Sequence, residues 1–412
     1  KPLGTFTTFF TVGVPDNAEG PHVVSSYPPS NATDVDPWVD TVEFTFSEPM
    51  LPTGGFLSNY WYPWTLTWSD DRLTAYLHRG SAGTPLYSAS VMLKPLGFYS
   101  LSSVPMEVPY ELRFRTAAPQ PLRVDPDPGK GFYWPYFLLI PSSVNPPATL
   151  LVEPNNTGTW GDDPWFHEDA ASKLVAWRAS FTTELGSPLL VPVFPRPVHP
   201  TISENGGIYI HALDRYSLDT RWTGLQRIDL QMVAMIDDAL DRLRGDGYAM
   251  DDKVFMMGFS ASGAFTSRFA AIHPERVKAT APGSPGGWPI VPVSDWEGTS
   301  LKYPTGIEDL QSLTGQAFNL EAFRQIPQFI YVGDIDTNDA FDVRGLTEEE
   351  KNDIRAFLNS PADPIIAHRW PLAQEIYDSV GSQAEFVTYP GVAHTITEAM
   401  FDEIRTFFAE HR

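Results

Sequence analysis

The 412-residue chain contains no cysteine, which excludes disulfides, thiolate metal sites and a thiol nucleophile together. Its 28 basic residues include only eight lysines, against 51 acidic residues, and the formal net charge is −23. Nucleic acid and anionic membrane surfaces are poor partners for such a chain. No run approaches 18 consecutive apolar residues, so no membrane-spanning helix is expected. The chain begins at Lys1 and not at methionine. The missing cysteine sets the expectation of a secreted, extracellular bacterial protein, and a start without methionine fits either a removed leader or a trimmed sequence. No internal repeat is evident, and nothing in the sequence specifies an oligomeric state.

What is present describes a folded protein. The hydrophobic share is 42% and the aromatic share 13%, too apolar for a disordered chain. The length exceeds most single cores, so two domains are expected. Residues 1–20 hold an apolar patch, Phe6 to Val12, without caps or a period, and read as an extension. From 21 to 117 short alternating runs are separated by Gly, Pro, Asn and Asp, which is the pattern of a small antiparallel sandwich. Within it, Val24-Ser25-Ser26-Tyr27-Pro28-Pro29 and Phe44-Thr45-Phe46-Ser47-Glu48-Pro49-Met50 resemble the bacterial Ig-like domain. That resemblance implies a sandwich and no activity. Alternation turns some rings of Trp61, Tyr62, Trp64 and Trp68 into its core.

Residues 118–130 are rich in proline and aspartate and read as a linker, with room for one edge strand. From 131 to 412 strands alternate with helices, the mark of a mostly parallel sheet. Expected strands include Tyr136–Ile140, Thr149–Val152, Leu189–Phe194, Val254–Met257, Lys278–Ala281, Gln328–Val332 and Ala384–Tyr389. Expected helices are Glu168–Thr183, Arg227–Leu243, Ala264–Ile272, Ala367–Val380 and Thr397–His411. An irregular stretch, 284–326, interrupts the alternation where a cap would be inserted.

The chemistry concentrates at Gly258-Phe259-Ser260-Ala261-Ser262-Gly263. An apolar strand leads in and a small-residue helix leads out, the setting of a nucleophile elbow. Small neighbours let the turn hold Ser260 with its hydroxyl exposed above a sheet, within reach of a base. The usual pattern has glycine at the position of Ser262, and Gly263 next to it can share that packing role. The plain alternative is a tight structural turn. Ser262 is a poor rival nucleophile, because Ser260 and Ala264 flank it where an elbow has glycines.

A serine of this kind needs an imidazole base and a carboxylate to orient it. His394 follows the last expected strand and precedes the last helix. Among the other histidines, His273 reads as a helix cap, His167, His199 and His211 precede the elbow, and His368 lies in a helix. After the strand Gln328–Val332 comes Gly333-Asp334-Ile335-Asp336-Thr337-Asn338-Asp339. Asp334, Asp336 and Asp339 compete as the acid, and Asp336, three residues past the glycine, is preferred because it matches the spacing found after this strand in the family that the chain resembles. A calcium loop formed by Asp334, Asp336, Asp339 and Asp342 is the rival reading of this cluster, although the glycine and glutamate of an EF-hand loop are missing. Two backbone N–H donors must hold the tetrahedral oxyanion. Ala261 supplies the first. The second is expected from the turn after Thr149–Val152, where the family that the chain resembles has His-Gly and this sequence instead has Glu153-Pro154-Asn155-Asn156-Thr157-Gly158, with Asn156 ahead of Asn155 and Thr157.

The order Ser260, Asp336, His394 on this alternating pattern resembles the α/β-hydrolase superfamily from about Phe132 to Arg412, and Phe269-Ala270-Ala271-Ile272-His273-Pro274-Glu275-Arg276-Val277 resembles its post-elbow helix. The whole arrangement is similar to bacterial serine esterases fused to an N-terminal Ig-like domain, and more loosely to secreted polyhydroxyalkanoate depolymerases. The resemblance implies an α/β-hydrolase fold, helices on both faces of the sheet, preceded by the small all-β sandwich. It also implies a serine carboxylesterase that works through an acyl-enzyme without cofactor or metal. Trp288, with Pro289 and Ile290, is expected to wall an open cleft for small-molecule or polymeric esters of short or medium acyl length. A polyester depolymerase, a serine peptidase and a non-enzymatic Ig-like binding protein are the alternatives.

Overall fold

Alternation within Thr41–Phe46 shows how the N-terminal unit is built. Val42, Phe44 and Phe46 are buried and the residues between them are not, as a strand with one wet face requires. The computed structural model describes residues 20–36, 39–59, 64–80, 90–116, 121–141, 143–156, 161, 163–197, 207–358 and 365–412. The N-terminal patch and extension to residue 19, Trp61, Tyr62, Thr157, Gly158 and His199 lie outside the described residues. The chain divides into two compact units, Lys1–Ala118 and Pro119–Arg412.

The first unit contains β1 (Val23–Tyr27), β2 (Ala32–Val35), β3 (Thr41–Phe46), β4 (Gly55–Ser58), β5 (Trp64–Trp68), β6 (Thr74–Arg79), β7 (Ser90–Leu96) and β8 (Leu112–Thr116). They form two four-stranded sheets, in the orders β1-β3-β6-β5 and β2-β8-β7-β4. All pairings are antiparallel except β2 with β8. Phe44, Phe46 and Leu77 of one sheet and Leu93, Leu112 and Phe114 of the other share one core, against which Trp64 and Trp68 pack half-buried. Phe46 and Phe98 lie 5.5 Å apart between ring centres. Full burial of each such ring stabilises the unit by roughly 1.5–3 kcal/mol.

The second unit contains β9 (Leu122–Val124), β10 (Tyr136–Leu139), β11 (Leu151–Val152), α1 (Pro164–Leu185), β12 (Leu189–Pro192), α2 (Arg215–Asp219), α3 (Ile228–Gly245), β13 (Val254–Phe259), α4 (Ala261–Ile272) and β14 (Val277–Gly283). A small hairpin follows, β15 (Asp295–Trp296) and β16 (Thr299–Ser300), and then α5 (Leu310–Thr314), α6 (Leu320–Arg324), β17 (Gln328–Gly333), α7 (Glu348–Leu358), α8 (Trp370–Ser379), β18 (Ala384–Tyr389) and α9 (Glu398–Glu410). Eight strands form one sheet, ordered β9-β10-β12-β11-β13-β14-β17-β18. The β9, β10 and β12 pairings are antiparallel, and the rest of the sheet, from β12 through β11 to β18, is parallel.

Strands covered on both faces should read as continuous apolar runs, and β13 and β17 do. Phe255 stacks on Phe408 of α9 at 4.8 Å, and Phe329 meets Phe407 at 5.6 Å. The alternate residues Val254, Met256 and Ile330 join Met232, Phe265 and Tyr377 in the main core. Helices α1 and α9 therefore cover one face, and α3, α4 and α8 the other.

The segment read as a linker with room for one edge strand carries that strand, β9, paired along β10 at the edge of the sheet. Other elements differ from the sequence reading. The interruption at 284–326 is no detached cap, because Ile290, Leu301, Tyr303, Leu310 and Phe323 are buried in the main core. Helix α7 was not anticipated. It opens with three glutamates and buries only Lys351, Ile354 and Leu358, too thin an apolar stripe to announce a helix.

Candidate active site

The register aligns Phe259 with Gly283, Gly283 with Tyr331, and Gly333 with Tyr389. Four parallel strands thus end at one edge, the place where α/β sheets present their ligand sites. Ser260, Asp336 and His394 leave that edge from β13, β17 and β18.

Ser260 stands between β13 and α4 with φ 62° and ψ −122°, a conformation that costs about 1–3 kcal/mol for a residue with a side chain. The surroundings enforce it. Its N–H donates to Gly283 O at 2.9 Å and its carbonyl accepts from Ala264 N–H at 2.9 Å. The Ser262 hydroxyl bridges back to Phe259, at 3.0 Å from its N–H and 2.9 Å from its carbonyl. The residue that departs from the usual glycine therefore ties the turn together. Close packing of helix on strand falls to Gly263, where a Cβ would lie 2.2 Å from Gly283 O. Helix α4 begins at Ala261, three residues earlier than expected, because the turn at Ser260 leads straight into it. Ala261 is buried, and its N–H belongs to the first-turn donors that find no partner within a helix.

A second close approach seats the histidine. A Cβ on Gly333 would lie 2.0 Å from Val392 O, so only glycine lets the turn after β18 lie against the end of β17. Ile335 N–H donates to Val392 O at 3.1 Å, and Gly391 N–H to Asp334 Oδ1 at 2.6 Å. His394 Nδ1 then meets Asp336 Oδ2 at 2.8 Å. Asp336 is 4% exposed. Burial raises its pKa, but hydrogen bonds from His394 and the Asn338 N–H outweigh that and hold the carboxyl below its ordinary value. An ionised carboxylate only accepts, so Nδ1 carries the hydrogen, and in the neutral imidazole the lone pair is then on Nε2. The imidazole lies 4.8 Å from the ring of Phe259, the residue before Ser260. Among the described residues the Ser260 hydroxyl makes no hydrogen bond to His394, so Asp336 and His394 are joined while Ser260 is not bonded to them. Such a contact often tightens only when substrate is bound.

The competing aspartates have other partners. Asp339 accepts two hydrogen bonds from buried Arg369, at 2.9 and 2.8 Å, Asp334 binds Gly391, and Asp342 binds Arg344 at 2.7 Å. The cluster is thus split among four partners, and among the described residues no three His, Asp or Glu side chains are placed to hold a metal ion.

Asn156 lies beside the elbow, with Nδ2 at 3.5 Å from Phe259 O. Its neighbour Asn155 is buried, and its side chain pairs with both backbone groups of Phe194 at 2.9 and 3.1 Å. That side chain fastens the turn to the end of β12. Trp288 is a correction. It is 1% exposed, donates from Nε1 to Thr305 O at 2.9 Å, and packs edge-on against Phe357. Gly286 and Gly287, both in the left-handed region at φ 66° and 87°, reverse the chain and send the indole into the core. It walls no cleft.

A cavity of about 440 Å³ opens between helix α1 and the elbow, walled by Phe166, Leu174, Trp177, Phe259 and Ile396. Asp163 caps α1 by accepting from Trp165 N–H at 3.0 Å, and Pro164 occupies its first turn. Spacings of 166, 170, 173, 174 and 177 place one stripe of the helix on the cavity. Its floor holds the bidentate pair Arg178–Glu153 at 2.6 and 2.7 Å. At its rim Lys173 meets Asp169 at 2.7 Å. This stripe escaped the sequence reading, although its i, i+4, i+7, i+8, i+11 spacing was visible in it.

No family model matches the sequence, and no curated protein matches it. Among solved structures, the chain is similar to poly(aspartic acid) hydrolase-1 from Sphingomonas sp. KT-1, at 14% identity and a TM-score of 0.45 over 70% of this chain and 98% of that one. It is similar to a thermostable esterase at 14% identity and 0.43, over 94% and 96% of the two chains. An S-formylglutathione hydrolase from Agrobacterium tumefaciens matches at 16% identity and 0.39, over 71% and 94%. At these values the likeness adds nothing to the residue-level geometry.

Proposed function

We propose that the protein is a serine carboxylesterase of the α/β-hydrolase type. The observation that carries this reading is the buried Asp336–His394 bond, poised at the strand edge beside a serine held at positive φ. Ser260 Oγ attacks the ester carbonyl carbon while His394 Nε2 takes its proton. Asp336 holds the imidazole tautomer and stabilises the imidazolium. Backbone N–H groups of Ala261 and Asn156 receive the oxyanion. Collapse expels the alcohol, which takes the proton back from His394, and leaves Ser260 acylated. A water molecule, deprotonated by His394, then releases the acid and regenerates the serine hydroxyl. These steps ask nothing of a metal or cofactor.

The N-terminal unit is proposed to be an Ig-like sandwich, supported by its two facing sheets and its sequence motifs, and it supplies none of these residues. Extracellular, bacterial operation is proposed on composition alone. The preferred substrates are hydrophobic carboxylic esters of short or medium acyl length. Exposed rings beside the site, Trp165, Phe166 and Trp177, favour a second reading in which the ester belongs to a polyester chain. The test is hydrolysis of p-nitrophenyl butyrate. The protein should turn it over, and Ser260→Ala and His394→Ala should each lose several orders of magnitude in kcat while keeping the native circular dichroism spectrum. Turnover retained in both variants refutes the reading.

A further inference from the structure

We infer that the cleft along α1 is a subsite for an uncharged aromatic group carried by the ester, with Phe166 and Trp177 as its selective walls. The inference rests on the esterase reading and specifies which esters that site prefers.

Position comes first. Phe259 immediately precedes Ser260 and lies against the His394 ring, and Ile396 follows His394 by two residues. Both line the cleft. A group lodged there lies against the residues that flank Ser260 and His394 in the chain, within reach of the acyl or the alcohol side of an ester held at the elbow. At about 440 Å³ the space falls within the range of small-molecule sites.

Wall chemistry comes next. Trp177 is 71% exposed and Phe166 49% exposed, on a helix whose opposite side is buried against the sheet. Neither ring belongs to the core, and Phe166 meets the exposed Trp165 edge-on at 5.5 Å between ring centres, so burial in the fold does not account for them. Tryptophan and phenylalanine present rigid flat faces with few rotamers to lose, and an aromatic partner gains stacking beyond simple area burial. An alkyl chain gains area alone.

Charge completes the argument. Within a chain of net charge −23, the cleft carries two acids and two bases that are already paired with each other, Glu153 with Arg178 and Asp169 with Lys173. The lining neither repels nor recruits an ion, which suits a neutral ring.

The test compares three neutral esters, ethyl benzoate, benzyl acetate and ethyl butyrate, by pH-stat hydrolysis. The first two carry the ring on the acyl and on the alcohol side. Trp177→Ala should raise KM for at least one aryl ester about five- to tenfold while ethyl butyrate changes less than about twofold. Trp177→Phe should recover most of the loss. In folded Ser260→Ala protein, saturation-transfer NMR should show ethyl benzoate or benzyl acetate bound, and the added Trp177→Ala should abolish the signal. Equal changes for all three esters, or none, overturn the aromatic subsite and leave the esterase reading intact. Absence of hydrolysis of every ester by the parent protein overturns the esterase reading instead, and the NMR arm then still reports on the subsite.

Discussion

Three aspartates within six residues offer the sharpest perturbation, because the structure gives each a different partner. In Asp336→Asn, the amide cannot do what the carboxylate does. It has one acceptor oxygen for two donors, the His394 Nδ1–H at 2.8 Å and the Asn338 N–H at 2.9 Å. If the amide nitrogen turns to Nδ1, the imidazole must shift its hydrogen to Nε2, and it can no longer accept the proton of Ser260. Loss of the orienting charge in such a triad lowers kcat by about 10³–10⁴, equivalent to roughly 4–5.5 kcal/mol of barrier. Asp339→Asn removes the charge and one of the two acceptors paired with Arg369, which is 4% exposed and also bonds Leu358 O at 3.0 Å. Breaking a fully buried pair costs about 3–5 kcal/mol. Since the Asp339 side chain is 41% exposed, solvent screening reduces this to about 1–2 kcal/mol, felt in stability and not in the chemical step. Asp334→Asn keeps an acceptor for Gly391 N–H and should change either quantity by less than about 1 kcal/mol. The assay is kcat on p-nitrophenyl butyrate beside urea unfolding for each variant. A crippled kcat in Asp339→Asn with near-normal turnover in Asp336→Asn would refute the assignment of the acid.

Two further outcomes follow from packing and burial. Gly263→Ala places a Cβ 2.2 Å from Gly283 O, forcing α4 off β14. It should cost about 1–3 kcal/mol in urea unfolding and, by displacing Ser260, about 100-fold in kcat, whereas Ser262→Gly, which loses only the bridge to Phe259, should stay within about tenfold. Normal turnover in Gly263→Ala refutes the elbow packing. Burial holds His211 down at about 3, against an ordinary 6.5. The unfolded chain therefore binds a proton below about pH 6.5 that the native chain refuses until about pH 3. His211 should leave stability unchanged above pH 6.5 and lower it by up to about 1.4 kcal/mol per unit as pH falls through that window. His211→Gln should flatten the stability–pH slope measured between pH 7 and 4 by chemical denaturation, and coincident slopes would contradict this.

The residues that could be read from sequence are those fixed by local rules. Gly258 to Gly263 stood out because an apolar strand, a cluster of small residues and a helix adjoin there within a few positions. Asp336 and His394 were readable because each follows a strand at short, regular distance. What could not be read depends on long-range placement. Nothing local says that Ser262 closes the elbow by bonding Phe259, or that Gly263 and Gly333 are the positions where a Cβ would strike the neighbouring chain. Trp288 was misjudged because it follows β14 closely, as a cleft residue would. Two left-handed glycines before it turn the indole inward. The cleft was missed because its walls come from residues some ninety positions apart, Phe166 to Trp177 on α1 and Phe259 at the elbow, brought together only by the crossover order of the sheet. Helix α7 was hidden by its acidity, since three buried side chains suffice to dock it.

The central claim is that Ser260 is the nucleophile, and covalent trapping tests it most directly. After incubation with a fluorophosphonate, the intact mass should rise by one phosphonyl group, and peptide mapping should place that group on Ser260. The Ser260→Ala protein should remain unlabelled under the same conditions. Full labelling of the Ser260→Ala protein, or modification of the parent at any other residue, would contradict the account.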